Sequence, residues 1–204
     1  MKVLVVGNGG REHAIAWKLS QSNDVEKVIC VPGNGGTSME AKCVNRTLGD
    51  ETYAELAKNE GCSLAVIGPG NPLADGLADS LWSAGIPTVG PMQAAAQLEA
   101  SKDLAKEFMH RYGVACAKSR TFSDESLALS YIEEQGAPIV IKADGLAAGK
   151  GVIVAKTLDD ARLAVKELME EKRVGDAGKK LVIEEYLRGT EVSKVLKDHQ
   201  DWCQ

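Results

Sequence analysis

Short, wholly apolar runs that alternate with helical segments constrain this chain more than any other feature. Val3-Leu4-Val5-Val6, Val28-Ile29-Cys30-Val31 and Leu64-Ala65-Val66-Ile67 are each too short for a helix and carry no polar alternation. Such runs are strands buried on both faces, as in a parallel sheet sandwiched between helices. The intervening stretches supply those helices: Glu12 to Ser20, Tyr53 to Asn59 with Asp50 as its N-cap, and Ala74 to Ser83 with Leu77, Leu81 and Ala84 at helical spacing. Pro87-Thr88-Val89-Gly90 closes the series as a short strand. The fold class is therefore α/β, Rossmann-like over roughly the first hundred residues.

Beyond Met92 the pattern changes. One long helix is expected over Gln93 to Arg111, with Leu98, Ala105, Phe108, Met109 and Tyr112 as its apolar side. A helix capped by Ser123 and running to Glu134 follows, then strands at Pro138 to Lys142 and Val152 to Ala155. Thr157-x-x-Asp160 reads as a capping box opening a helix that turns Leu158, Ala161, Val165, Leu168 and Met169 inward, and Leu181 to Tyr186 is a last strand. A second, α+β unit thus begins near residue 100.

Composition excludes several classes of function. Of 204 residues, 24 are Lys or Arg and 29 Asp or Glu, a net charge of −5, which lacks the basic footprint of a duplex binder. Aromatic residues at 4% argue against a single-strand stacking surface. No run approaches the roughly 20 apolar residues of a membrane helix, and no signal peptide is expected. Five cysteines without C-x-x-C spacing read as reduced thiols of a cytoplasmic protein.

Glycine carries the chemistry. Gly7-Asn8-Gly9-Gly10-Arg11-Glu12-His13 joins the first strand to the first helix, where backbone N–H groups with Arg11 beside them suit a phosphate. A dinucleotide fingerprint would place a third glycine where Glu12 stands and an acidic residue where the second strand ends in Val31-Pro32, so NAD is disfavoured. Ile141 to Val152 superficially resembles a P-loop. However, it has one residue too few between Gly145 and Gly149, Gly151 replaces the Ser or Thr, and a strand follows where a helix is needed. The better reading is a β-hairpin whose glycine tip folds over a triphosphate, with Lys142 and Lys150 facing phosphate oxygens. At the end of the last strand, the edge backbone of Glu184-Glu185-Tyr186-Leu187 could hydrogen-bond adenine, and Glu191 could hold ribose hydroxyls.

These stretches together resemble the N-terminal half of the phosphoribosylamine–glycine ligase (glycinamide ribonucleotide synthetase) family of the ATP-grasp superfamily. The match rests on Gly7 to Ala16, Pro32-Gly33-Asn34-x-Gly36-Thr37, Gly90-Pro91, Ala95 to Lys102, Pro138 to Lys156 and Ile183-Glu184-Glu185. The resemblance implies a preATP-grasp domain over 1–100, the N-terminal part of an ATP-grasp domain over 101–193, and a tail over 194–204 that departs from the family. It implies ATP as co-substrate, Mg2+ in the complete enzyme, and glycine and 5-phosphoribosylamine as partners. By position it assigns ATP to Lys102, Lys142, Gly145, Gly149, Lys150, Gly151, Glu184, Glu185, Leu187 and Glu191, and phosphoribosylamine to Gly9, Gly10 and Arg11. No metal ligand is assigned to this chain, and the catalytic half of the family pattern is not matched. The family usually has Glu where Gly70 stands, which removes a polar contact to the sugar amine. The chain by itself is therefore expected to be inactive, with a nucleotide-binding or interaction chain as the alternative to an active ligase.

Overall fold

A computed structural model of the chain describes residues 1–147, 150–171, 173–190 and 192. The first sheet contains β1 (Lys2–Gly7), β2 (Lys27–Pro32), β3 (Cys43–Asn45), β4 (Leu64–Ile67) and β5 (Thr88–Val89). Every pairing is parallel and the order is β3-β2-β1-β4-β5. The helices between them are α1 (Gly10–Ser20), α2 (Tyr53–Glu60), α3 (Gly70–Ala74) and α4 (Leu77–Ser83).

Strand alternation divides this core in two. Val3, Val5, Val28 and Cys30 pack with Ala16 of α1 on one face. Leu4, Val6, Ile29 and Val31 pack with Leu56 of α2 and Leu81 of α4 on the other. All of these are essentially inaccessible, and each large side chain so buried stabilises by about 1.5–3 kcal/mol. Because β2 and β4 flank β1 on opposite sides, the strand order reverses at β1, which opens a crevice at the carboxyl ends of β1 and β4.

Two helices, α5 (Gln93–Ala100) and α6 (Lys102–Arg111), lead into the second unit. It contains β6 (Ser119–Phe122), α7 (Glu125–Gln135), β7 (Ile139–Ala143), β8 (Val152–Ala155), α8 (Leu158–Met169) and β9 (Leu181–Glu185). The sheet is antiparallel, ordered β6-β9-β7-β8. On one face Ile139, Ile141 and Ile183 pack against Ala128 and Ile132 of α7 and Ala161, Val165 and Leu168 of α8. The other face carries Thr121, Val140, Lys142, Val152, Val154, Val182 and Glu184. Val182 is fully buried there, whereas Val152 and Val154 are 45% and 49% exposed, so the β7–β8 end of this face is open.

Several expected elements differ. The helix expected over 93–111 is two, because Ser101 leaves helical geometry and its hydroxyl caps α6 by accepting from the Leu104 N–H. Its expected apolar side is split, with Ala105 and Met109 half-buried and Leu98, Phe108 and Tyr112 exposed. The helix expected over 74–83 starts earlier and breaks at Gly76, whose φ of 87° lies in the left-handed region. Thr52, not Asp50, caps α2, in a reciprocal box with Glu55. Asp124, not Ser123, caps α7 through the Leu127 N–H. Strands β3 and β6 were not anticipated from their short, mixed sequences. The Thr157 capping box forms as expected, and Asp160 accepts from the Thr157 N–H at 3.1 Å. Among the described residues no helix is long and apolar enough to cross a membrane, and Cys30, Cys43, Cys62 and Cys116 are free thiols.

Candidate functional site

The open face of the second sheet gathers cations around one buried carboxylate. Lys142 on β7 and Glu184 on β9 point to the same face, and the Lys142 Nζ lies 2.8 Å from a Glu184 carboxylate oxygen. Lys106, one helical turn beyond Lys102, reaches the other Glu184 oxygen at 3.3 Å and donates to the Ala117 carbonyl at 3.0 Å. Glu184 is 6% exposed, so without its two lysines its charge would stand uncompensated in a desolvated place. Lys102 donates from Nζ to the Gly145 carbonyl at 3.1 Å. Burial holds the Lys102 ammonium below the ordinary lysine pKa; the Asp144 carboxylate opposes this, and the nearby Lys142 charge adds to it. Lys106 and Lys142 thus share the Glu184 carboxylate, and Lys102 stands near them, held by the hairpin backbone.

The glycine hairpin is moored beside them. Past the last β7–β8 pair, the Ala143 N–H donates to the Gly151 carbonyl at 2.7 Å, and the Lys150 N–H donates to the Ala147 carbonyl at 2.8 Å. Asp144 ties the base of the hairpin to α6, accepting from the Ser101 hydroxyl at 3.1 Å and from the Asp103 N–H at 2.8 Å. Asp103 in turn accepts from the Thr121 hydroxyl at 2.6 Å and from Lys180 at 3.0 Å. The Thr121 hydrogen bond comes first among the causes that lower the Asp103 pKa; burial opposes it and Lys180 adds to it. Gly145 and Gly151 are needed for close approach: a Cβ on Gly145 would stand 2.9 Å from that of Ala177, and one on Gly151 2.8 Å from that of Ala147. Lys150 is exposed at the tip.

Of the other residues singled out from sequence, Glu185 pairs with Lys118, its N–H donating to the Lys118 carbonyl at 2.9 Å and its carboxylate accepting from the Lys118 N–H at 2.8 Å. Tyr186 and Leu187 follow, both exposed. Gly149 and Glu191 lie outside the described residues, as do residues 194–204. Sequence reading missed Lys106 and Asp144. The spacing of four between Lys102 and Lys106 was the available signal for the first.

At the β1–β4 crevice, Gly9 caps α1, Gly10 opens it, and Arg11 is largely exposed. Glu12 turns back into a slot between Gly7, Gly9 and Gly68, where a Cβ on Gly68 would collide with its carboxylate. That carboxylate accepts from the Gly9 N–H at 2.8 Å and from Arg11 Nε at 2.9 Å. Burial alone would raise the Glu12 pKa, but the Arg11 and Gly9 hydrogen bonds outweigh it and the pKa lies below the ordinary value. The Gly9 N–H is therefore already engaged, and the phosphate donors left at this helix start are those of Gly10 and Arg11. Alongside, Asn34 bridges the two glycine loops, donating to the Asn8 carbonyl at 2.9 Å while accepting from the Gly36 N–H at 2.8 Å. The hairpin reaches this crevice, since Leu146 is the nearest neighbour of a Cβ built on Gly70, at 3.9 Å.

Among the described residues no three His, Cys, Asp or Glu side chains stand close enough to hold a metal ion. The cation-rich donor set around Lys102, Lys106 and Lys142 does not fit magnesium.

Comparison with known proteins identifies the family. Residues 1–99 match the family model for the phosphoribosylglycinamide synthetase N domain, and residues 100–202 that for its ATP-grasp (A) domain. Phosphoribosylamine–glycine ligase of Ralstonia nicotianae is 51% identical over 197 residues, 96% of this chain and 47% of the relative. That of a Nostoc species is 53% identical over 196 residues, 95% of this chain and 46% of the relative. The crystal structure of phosphoribosylamine–glycine ligase from Thermotoga maritima superposes with a TM-score of 0.75 at 29% identity, covering 93% of this chain and 45% of that one. The chain thus spans about half the length of the relatives it matches. With the two family models matched over residues 1–99, the parallel α/β unit, and 100–202, which include the antiparallel unit, the chain belongs to the phosphoribosylglycinamide synthetase family.

Proposed function

We propose that this chain carries the ATP-holding and phosphoribosylamine-holding parts of a cytoplasmic phosphoribosylamine–glycine ligase of purine biosynthesis. In that reaction a glycine carboxylate oxygen attacks the γ-phosphorus of ATP and ADP leaves. The amine of 5-phosphoribosylamine then attacks the acyl carbon, the bond to phosphate breaks, and glycinamide ribonucleotide forms with loss of a proton. Phosphoryl transfer of this kind is governed by positioning and charge compensation, which is what the second unit supplies. The observation that carries the reading is that Lys106 and Lys142 share Glu184, with Lys102 near them, on one open face beside a glycine hairpin.

In this reading residues 101–193 hold the nucleotide. Lys102, Lys142 and Lys150 meet phosphate oxygens under Gly145, Gly149 and Gly151, Glu184 to Leu187 border the adenine, and Glu191 meets the ribose. Residues 1–100 hold phosphoribosylamine at Gly10 and Arg11, with Gly9 shaping the turn. The approach of Leu146 to within 3.9 Å of the place a Gly70 side chain would occupy supports a short path from acyl phosphate to amine.

Titration calorimetry tests the assignment. ATP should bind the purified chain, and Lys142→Ala should weaken it at least about tenfold, the lower end for one charge-assisted contact of about 1.5–3 kcal/mol. Ribose 5-phosphate should bind independently and lose affinity with Arg11→Ala. Unchanged ATP affinity in Lys142→Ala would remove the proposal. Because the relatives are about twice as long, we expect the 204 residues alone to bind without turnover. With ATP, magnesium, glycine and phosphoribosylamine present, phosphate release should not exceed that of Lys142→Ala.

A further inference from the structure

The first N–H groups of a helix find no partner inside it. At the start of α6 the Leu104 N–H is answered by the Ser101 hydroxyl. The Lys102 and Asp103 N–H groups both go to Asp144, just past β7, the first to its carbonyl at 3.3 Å and the second to its carboxylate at 2.8 Å. That carboxylate also accepts from the Ser101 hydroxyl, at 3.1 and 3.2 Å to its two oxygens. The Asp144 N–H donates to the Lys180 carbonyl at 2.9 Å, just before β9. Lys180 brings its Nζ back to within 4.0 Å of the Asp144 carboxylate and 3.0 Å of that of Asp103. Every polar atom of Asp144 is thus committed, and its side chain is only 15% exposed. One residue joins the base of the glycine hairpin, the start of α6 and the entry to β9.

This joint carries the groups a phosphate would meet. The Lys102 ammonium doubles back over it to the Gly145 carbonyl at 3.1 Å and the Asp144 carbonyl at 3.5 Å. An ammonium has three donors, so one remains for a ligand. Gly145, the next residue, opens the hairpin tip. Charge follows the same path: burial lowers the Lys102 pKa, the Asp144 carboxylate is the foremost charge opposing that, Lys142 lowers it further and Glu184 raises it. We propose that Asp144 is a positioning residue for the triphosphate: it sets the Lys102 ammonium and the glycine tip in the register at which both meet phosphate oxygens. The inference rests on the nucleotide reading above and adds to it a residue that itself touches no nucleotide.

The test is calorimetry with ATP and with AMP on the 204-residue chain, unaltered and as Asp144→Ala, Asp144→Asn and Lys142→Ala. Asp144→Ala should weaken ATP about tenfold or more and AMP less than about twofold, because AMP lacks the phosphates that Lys102 and the tip would meet. Asp144→Asn keeps an oxygen for the Asp103 N–H and should restore most of the ATP affinity at neutral pH. It lacks the charge that keeps Lys102 protonated, so as pH rises it should lose ATP at a lower pH than the unaltered chain does. Should Asp144→Ala fail to fold, this alkaline shift in Asp144→Asn decides. Equal losses of ATP and AMP in Asp144→Ala, or an Asp144→Asn profile that overlays the unaltered one, would overturn the proposal. ATP binding that Lys142→Ala weakens and Asp144→Ala leaves intact would overturn it and spare the nucleotide reading. No ATP binding by the unaltered chain would overturn both.

Discussion

Glu12 shows how one side chain fixes the start of a helix. Its carboxylate occupies a slot lined by Gly7, Gly9 and Gly68, satisfies the Gly9 N–H and draws in Arg11. Since its native pKa is depressed, its contribution to stability is fully present above the ordinary carboxylate pKa and is lost as pH falls through the lower native value. Glu12→Gln should therefore cost about 1.5 kcal/mol near pH 7, judged by urea unfolding, and the difference should shrink below about pH 4. A gap that widened on acidification would contradict this role. Gly70 presents the opposite case. It opens α3 with only Leu146 near the position of a Cβ, so Gly70→Glu should fit without loss of stability and place a carboxylate at the crevice. Its electrostatic benefit at a helix N-terminus is about 0.3–1 kcal/mol, and thermal denaturation showing a clear loss would mean the crevice is tighter than described.

At the level of elements, the glycine hairpin is the most demanding piece of backbone. Gly151→Ala would press a Cβ against Ala143 and Ala147, and overpacking of this kind costs about 1–3 kcal/mol. Gly10→Ala faces open space and should be nearly neutral. Denaturant titration of the pair checks the contrast, and equal effects would show that the hairpin is not closely packed. Strands such as Leu64–Ile67 and Val152–Ala155 were legible because each is an unbroken apolar run, and the Thr157 box was legible because capping is local. The break at Ser101 was not, because it depends on Asp144, forty-three residues away, accepting from the Ser101 hydroxyl and the Asp103 N–H. Likewise β3 and β6 owe their strand geometry to partners in β2 and β9, not to their own composition. Sequence placed Lys142 and the hairpin in the candidate site. The Glu184 charge cluster that binds Lys106 to Lys142 emerges only once α6 lies across the sheet.

Across the whole molecule, the two sheets present two different surfaces. The parallel sheet has its crevice where the strand order reverses at β1, and the antiparallel sheet has a charged, half-open face with a glycine hairpin that reaches toward the first. In the proposed function a nucleoside triphosphate belongs to the second of these and not to the helix start at Gly9 and Gly10. Hydrogen exchange read by mass spectrometry, with and without a non-hydrolysable ATP analogue, separates the two. Exchange should slow over residues 142–151 and 184–187, with residues 7–12 unaffected. Protection confined to residues 7–12, with the hairpin exchanging as before, would contradict it.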